Sequence, residues 1–90
     1  MSSRFYLENR IYFVTAKTFG NKKIFKQDKN CWLFVKILQE CKEKYGFKSY
    51  GYVVMPDHVH LLIEPDTGMN ISEVVHRIKG NFAYQYLKTT

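Results

Sequence analysis

The spacing of apolar and polar positions divides the chain into five elements. Residues 10–18, 47–55 and 58–63 are rich in β-branched and aromatic side chains, which predicts three strands. Residues 29–45, and the segment that opens at residues 70–73, carry apolar side chains at helical spacing, which predicts two helices. The predicted order is therefore strand, helix, strand, strand, helix.

Capping residues set the limits of the two predicted helices. Asp28 or Asn30 is the predicted N-cap of the first helix, and Gly46 is its predicted end. Asn70 and Glu73 have the spacing of a capping box at the start of the second helix.

The second and third strands are joined by a very short connection. Only Pro56 and Asp57 separate them, which predicts antiparallel pairing. Gly51 is predicted to mark either a bulge in the second strand or a place where another backbone comes close. Residues 61–63 form an apolar run that is typical of a strand covered on both faces.

The predicted core takes one face of each helix together with several aromatic side chains. Its helical members are Trp32, Leu33, Val35, Ile37, Leu38 and Cys41 in the first helix and Ile71, Val74, Val75, Ile78, Phe82 and Tyr86 in the second. The aromatic residues assigned to the core, rather than to base stacking, are Phe13, Trp32, Phe34, Phe47 and Phe82. His76, Arg77 and Lys79 fall outside the apolar stripe and are expected near solvent.

These elements predict an α+β, ferredoxin-like fold of βαββα order, with an antiparallel sheet and two helices on one face. Residues 1–90 are expected to form a single domain, since neither a linker nor a repeat is visible. A second βαβ half would need one more strand after residue 90, so we expect a unit without its final strand. A domain this small buries only about two thirds of its unfolded surface, and a dimer would stabilise it.

The charge of the chain favours a polyanionic partner. It carries 14 Lys and Arg against 8 Asp and Glu, for a net charge of +6 and a pI near 9.4, which suits nucleic acid. A solvated cationic face would give the same balance. Cys31 and Cys41 are too few for a disulfide framework, and neither a leader nor a long apolar span is visible. We therefore expect a cytoplasmic protein without a membrane partner.

The most specific chemical feature is a pair of histidines in the third strand. His58 and His60 are two residues apart, so they project from the same face, roughly 6.6 Å apart along the backbone. The pair is predicted to bind one metal ion, the alternative being that either imidazole is simply packed. Glu64 shares this face, but the four residues that separate it from His60 span about 13 Å.

Residues 52–63, followed by Ile71, Ser72 and residues 78–80, resemble the HUH single-tyrosine transposases, which include insertion-sequence and REP-associated tyrosine transposases. Residues 12–15 are similar to the opening strand of that family. The resemblance implies that His58 and His60 bind a divalent metal, Mg²⁺ or Mn²⁺. It also implies a homodimer that acts on single-stranded DNA with small hairpins.

The resemblance implies cleavage by a tyrosine nucleophile, which leaves a 5′-phosphotyrosine intermediate that is later rejoined. In the family this tyrosine lies on a further helix after the last strand, a region that these ninety residues do not contain. Tyr84 and Tyr86 on the second helix do not occupy that position, so they are weak candidates and no catalytic residue is certain. We expect a C-terminally truncated or decayed transposase that lacks strand cleavage.

Six cations are expected near the DNA because they flank the histidine face or match basic segments of the family. They are Arg10, Lys17, Lys22, Lys23, Arg77 and Lys79. Two other functions remain open: a nucleic-acid-binding module without catalysis, and a small zinc hydrolase. The hydrolase would need a further ligand, and His76, the one remaining histidine, lies on the second helix.

Overall fold

The structure is a computed structural model that describes residues 11–66 and 68–89. Its elements follow the predicted order: β1 (Tyr12–Lys17), α1 (Asp28–Tyr45), β2 (Lys48–Met55), β3 (His58–Glu64) and α2 (Ile71–Thr89). Two 3₁₀ turns, Phe19–Asn21 and Ile24–Lys26, connect β1 to α1 and were not predicted from the sequence.

The three strands form one antiparallel sheet in the order β1-β3-β2. The histidine strand β3 is therefore central, with β1 and β2 as its two neighbours. This arrangement confirms the α+β class and the partial ferredoxin-like fold. It also confirms the antiparallel pairing that the short connection between β2 and β3 predicted.

The predicted irregularity in β2 is present. Ser49 pairs with Ile63 and Gly51 with Leu62, so Tyr50 is the extra residue of a β-bulge. The turn at Pro56 and Asp57 then returns the chain into β3.

The core lies between the sheet and the two helices, which both pack on one face. We call this the inner face of the sheet, and on β3 it carries Val59, Leu61 and Ile63. The other buried apolar residues are Phe25, Phe34, Ile37, Leu38, Cys41, Phe47, Val74 and Ile78. The opposite, outer face carries His58, His60 and Leu62.

Two aromatic residues that were predicted in the core are exposed. Trp32 is 73% exposed because the buried face of α1 passes through Phe34 instead, and two residues turn a helix by about 200°. Phe13 is 67% exposed because it lies on the outer face, which neither helix covers. For Phe34 and Phe47 the prediction is confirmed, and Phe82 is partly buried against the core.

The predicted N-cap of α1 is wrong. Gln27 is the capping residue, and it makes no side-chain hydrogen bond to the helix. Asn30 lies inside the helix and is buried, where its Nδ2 donates to the carbonyl oxygen of Ile24 at 2.7 Å. A buried amide needs such a partner, so Asn30 ties α1 to the 3₁₀ turn before it.

The other predicted helix boundaries are confirmed. Gly46 ends α1 in the left-handed region at φ 75°, which glycine adopts without steric cost. At the start of α2 the backbone N–H of Glu73 donates to Asn70 Oδ1 at 2.9 Å. The backbone N–H of Asn70 donates to Glu73 Oε1 at 3.2 Å, completing the capping box.

Candidate metal centre

The two histidines converge on the outer face of the central strand. Both imidazoles are half-buried, and their Nε2 atoms are 3.2 Å apart. Two nitrogen ligands about 2.1 Å from one ion would be about 3.0 Å apart at a right angle and about 3.4 Å apart in a tetrahedron. The spacing therefore fits two ligands of a single divalent ion.

Asp57 orients the first imidazole. Its Oδ1 is 2.7 Å from His58 Nδ1, and this hydrogen bond holds the pKa of Asp57 below its ordinary value. An ionised carboxylate can only accept, so Nδ1 of His58 carries the hydrogen. The lone pair of Nε2 is then left for a metal ion, an arrangement that is common among metal-binding histidines.

Thr15 and Phe13 hold the second imidazole from the neighbouring strand. Thr15 lies directly opposite His60, and its Oγ1 is 3.0 Å from His60 Nδ1. In the tautomer that leaves Nε2 free, Nδ1 donates to this hydroxyl. The ring of Phe13 stacks on His60 with centroids 5.2 Å apart and planes at 20°. Both ligands thus have a fixed orientation.

The sequence analysis did not identify Thr15 and Asp57 as orienting residues. The position of Asp57 beside a histidine was a usable signal, because carboxylates commonly hold metal-binding imidazoles. Thr15 becomes visible only once the pairing of β1 with β3 is known.

Within residues 11–66 and 68–89, no group of three or more His, Cys, Asp or Glu side chains could hold a metal. Glu64 is engaged elsewhere, since its Oε1 accepts a 2.6 Å hydrogen bond from the Tyr50 hydroxyl. That bond raises the pKa of Tyr50. The described side chains thus offer the ion two imidazoles.

The two candidate nucleophiles lie on α2, which packs against the inner face of the sheet. Tyr84 is exposed, and the ammonium of Lys88 lies 5.5 Å from its ring centroid. Tyr86 is half-buried and stacks on Phe82. Both contacts are within α2, so the tyrosines are placed by the helix itself, which packs on the face opposite to the imidazoles.

Of the six predicted DNA-binding cations, two lie beside the histidines. Lys17 is directly opposite His58 in the register of β1 and β3. Lys23 lies in the connection that bonds to the turn before His58, since the N–H of Thr18 donates to the carbonyl oxygen of Asp57 and that of Phe25 to the carbonyl oxygen of Pro56.

Three of the remaining predicted cations lie within the described residues. Lys22 is exposed in the connection after β1. Arg77 and Lys79 are exposed on α2, where the Arg77 guanidinium lies 5.7 Å from the centroid of Tyr45. Arg10 lies outside the described residues.

An open apolar groove of about 1160 Å³ lies between β1 and α2. Val14, Phe82 and Tyr86 are among its lining residues, whereas His58 and His60 are not. Phe13 and Lys17 also line it, so the groove borders the face that carries the imidazole pair.

A protein-family model described as "Transposase IS200 like" matches residues 8–90. The chain belongs to the IS200-like transposase family. This match confirms the transposase resemblance that the histidine strand carries, and it indicates a role in DNA transposition. Transposases of this family generally depend on a divalent metal. A search of curated proteins finds no match to the chain. Neither α1 nor α2 is long and apolar enough to cross a membrane.

Proposed function

We propose that this chain provides the metal-binding sheet of a transposase that cleaves and rejoins single-stranded DNA. His58 and His60 would hold Mg²⁺ or Mn²⁺. The observation that carries this proposal is the 3.2 Å separation of the two Nε2 atoms, with each Nδ1 engaged by an oriented oxygen partner. In the metal-free chain a direct hydrogen bond between the two Nε2 atoms accounts for the same separation, and a bound ion would take the place of its hydrogen.

The residues around the histidines support the proposal in two ways, because some orient the imidazoles and others attract phosphate. Asp57 and Thr15 fix the two imidazoles, which lowers the entropic cost of binding the ion. When bound, a divalent ion supplies Lewis-acid polarisation of a scissile phosphate. Lys17 and Lys23 flank the pair and attract the phosphate backbone of the DNA.

In the proposed reaction, a tyrosine oxygen attacks phosphorus and forms a 5′-phosphotyrosine bond. The bond from phosphorus to the 3′ oxygen breaks, and that oxygen takes up a proton. We assign this role to neither Tyr84 nor Tyr86, since both are on a helix of the inner face. The nucleophile must approach from the outer face.

The proposed partners are hairpin or other single-stranded DNA and a second copy of the chain. The dimer is supported by the position of β1 at one edge of the described sheet, since edge strands favour pairing between chains. We further propose a cytoplasmic location, since Cys31 and Cys41 are both free thiols.

A non-catalytic nucleic-acid-binding module is the second candidate. It is favoured by the position of Tyr84 and Tyr86 behind the sheet, away from the histidines. Such a module would bind metal and DNA on the same face but would form no covalent intermediate.

Manganese titration followed by electron paramagnetic resonance tests the metal site. We expect the His58→Ala, His60→Ala double variant to lose Mn²⁺ binding, because both imidazole ligands are removed. His76→Ala is the matched control, since this histidine is exposed on α2. Unchanged Mn²⁺ affinity in the double variant would contradict the proposal.

Denaturing gels of the chain incubated with hairpin DNA and Mn²⁺ test whether these ninety residues contain a nucleophile. No adduct is expected, because the nucleophile is assigned to neither Tyr84 nor Tyr86. A covalent DNA adduct would contradict the non-catalytic module, and an adduct on Tyr84 or Tyr86 would also contradict their exclusion.

A further inference from the structure

The outer face of the sheet surrounds the histidines with exposed apolar side chains. They come from all three strands and are Phe13, Tyr50, Val53, Met55 and Leu62. Neither α1 nor α2 covers them, because both helices pack on the inner face. An exposed apolar surface beside a candidate metal site indicates that a ligand binds there.

Phe13 is the most exposed of these side chains and has a defined orientation. Its ring is nearly parallel to the imidazole of His60. Thr15 and Lys17 follow at two-residue spacing, so they share its face of β1. An aromatic ring, a hydroxyl and a cation therefore form a row beside the imidazole pair.

The chemistry around Phe13 selects among possible occupants. The apolar face of a protein partner would bury the Asp57 carboxylate and the Lys17 ammonium, and burying charges without partners is costly. A nucleotide matches the exposed ring of Phe13 and the ammonium of Lys17, because it joins a flat apolar base to an anionic phosphate. Lys17 lies opposite His58, and Lys23 lies in the connection that bonds to the turn before His58, so both attract that phosphate to the His58 end of the face.

We propose that a base of single-stranded DNA stacks on Phe13 and directs its phosphate towards the imidazole pair. This inference rests on the proposed function and identifies Phe13 as the residue that positions the DNA at the imidazole pair. Thr15 is engaged with His60, and the other neighbours of Phe13 on this face are apolar. The base is therefore held by its ring surface, and stacking of this kind tolerates any base.

Fluorescence anisotropy of labelled single-stranded DNA tests the proposed stacking platform, which is the exposed ring of Phe13, in the full chain. Phe13→Ala should weaken binding about 5- to 100-fold, the range that the loss of one base-stacking aromatic produces. Phe13→Trp should restore it, because a larger ring remains. Trp32→Ala is the matched control, since Trp32 is equally exposed but lies on α1. The salt dependence should stay unchanged in Phe13→Ala, because no charge is removed.

A strand with an abasic position opposite the platform sharpens the test. If a base stacks on Phe13, Phe13→Ala should lose little further affinity for the abasic strand. An equal loss on both strands would overturn the inference. These affinities are measured without Mn²⁺, because Phe13 also stacks on His60 and its loss is expected to weaken metal binding.

The outcomes also separate this inference from the proposed function. Failure of the wild-type chain to bind any single strand overturns both. Normal binding of DNA and Mn²⁺ by wild type, with Phe13→Ala equal to Trp32→Ala, overturns only the platform. Loss of self-association in Phe13→Ala, without loss of DNA affinity, assigns the face to a second copy instead.

Discussion

The two faces of β3 differ although their residues alternate along one strand. Leu61 on the inner face is 1% exposed, whereas its neighbour Leu62 on the outer face is 39% exposed. The inner face contributes stability because two helices cover it. The outer face, which no described helix covers, carries the imidazoles. Adjacent residues of β3 therefore contribute to different properties, so substitutions can change fold stability and metal binding independently.

The largest expected effect comes from removing packing on the inner face. Leu61→Ala should destabilise the fold by about 2–5 kcal/mol, through lost apolar burial and the cavity left behind. Leu62→Ala makes the same chemical change one residue away and should cost less than about 1 kcal/mol. Urea denaturation measures both, and equal losses would remove the distinction between the faces.

The next effect concerns the residues that orient the imidazoles. Thr15→Val and Asp57→Ala each remove the oxygen partner of one Nδ1 atom, and each should weaken Mn²⁺ binding about 10- to 100-fold. Asp66→Ala is the control, because this exposed aspartate follows the end of β3 opposite to His58. Calorimetric titration measures the affinities. Wild-type affinity in both variants would show that the imidazoles need no support.

A smaller effect is expected from the cations at the edge of the outer face. Replacing Lys22 and Lys23 by Gln should weaken single-strand binding several-fold. If both contact phosphates, it should reduce the slope of log affinity against log salt by about 1.4, or about 0.7 for each contact. The same change at Lys36 and Lys44 on α1 should leave the slope nearly unchanged. Equal slopes in the two variants would show that the DNA does not contact the connection after β1.

The smallest effect is expected from the exposed polar pair on the outer face. Tyr50→Phe removes the hydroxyl that donates to Glu64. Because the pair is solvated, the free energy of unfolding should change by less than about 0.5 kcal/mol. A loss above 2 kcal/mol in urea denaturation would make this bond part of the fold.

Much of the architecture could be predicted because local chemistry determines it. Gly46 ends α1 since it adopts a positive φ, and the spacing of Asn70 and Glu73 encodes a capping box. The period of a strand likewise places His58 and His60 on one face. Each of these features depends on residues close together in the chain.

Features that depend on distant partners could not be predicted. Hydrophobicity placed Phe13 and Trp32 in the core, but their exposure follows from where the helices pack. The role of Thr15 depends on pairing with His60, 45 residues away. The capping error at Asn30 has the same origin, because its side chain instead satisfies the preceding 3₁₀ turn.

The turn that leads into β3 is anchored from outside its own hairpin. The backbone N–H of Thr18 donates to the carbonyl oxygen of Asp57, and that of Phe25 donates to the carbonyl oxygen of Pro56, each at 3.0 Å. Lys22 and Lys23 lie between these two amides in the chain. A phosphate that restrained these lysines would also restrain the turn that presents His58. Thermodynamic linkage then requires DNA and metal to strengthen each other's binding by the same factor.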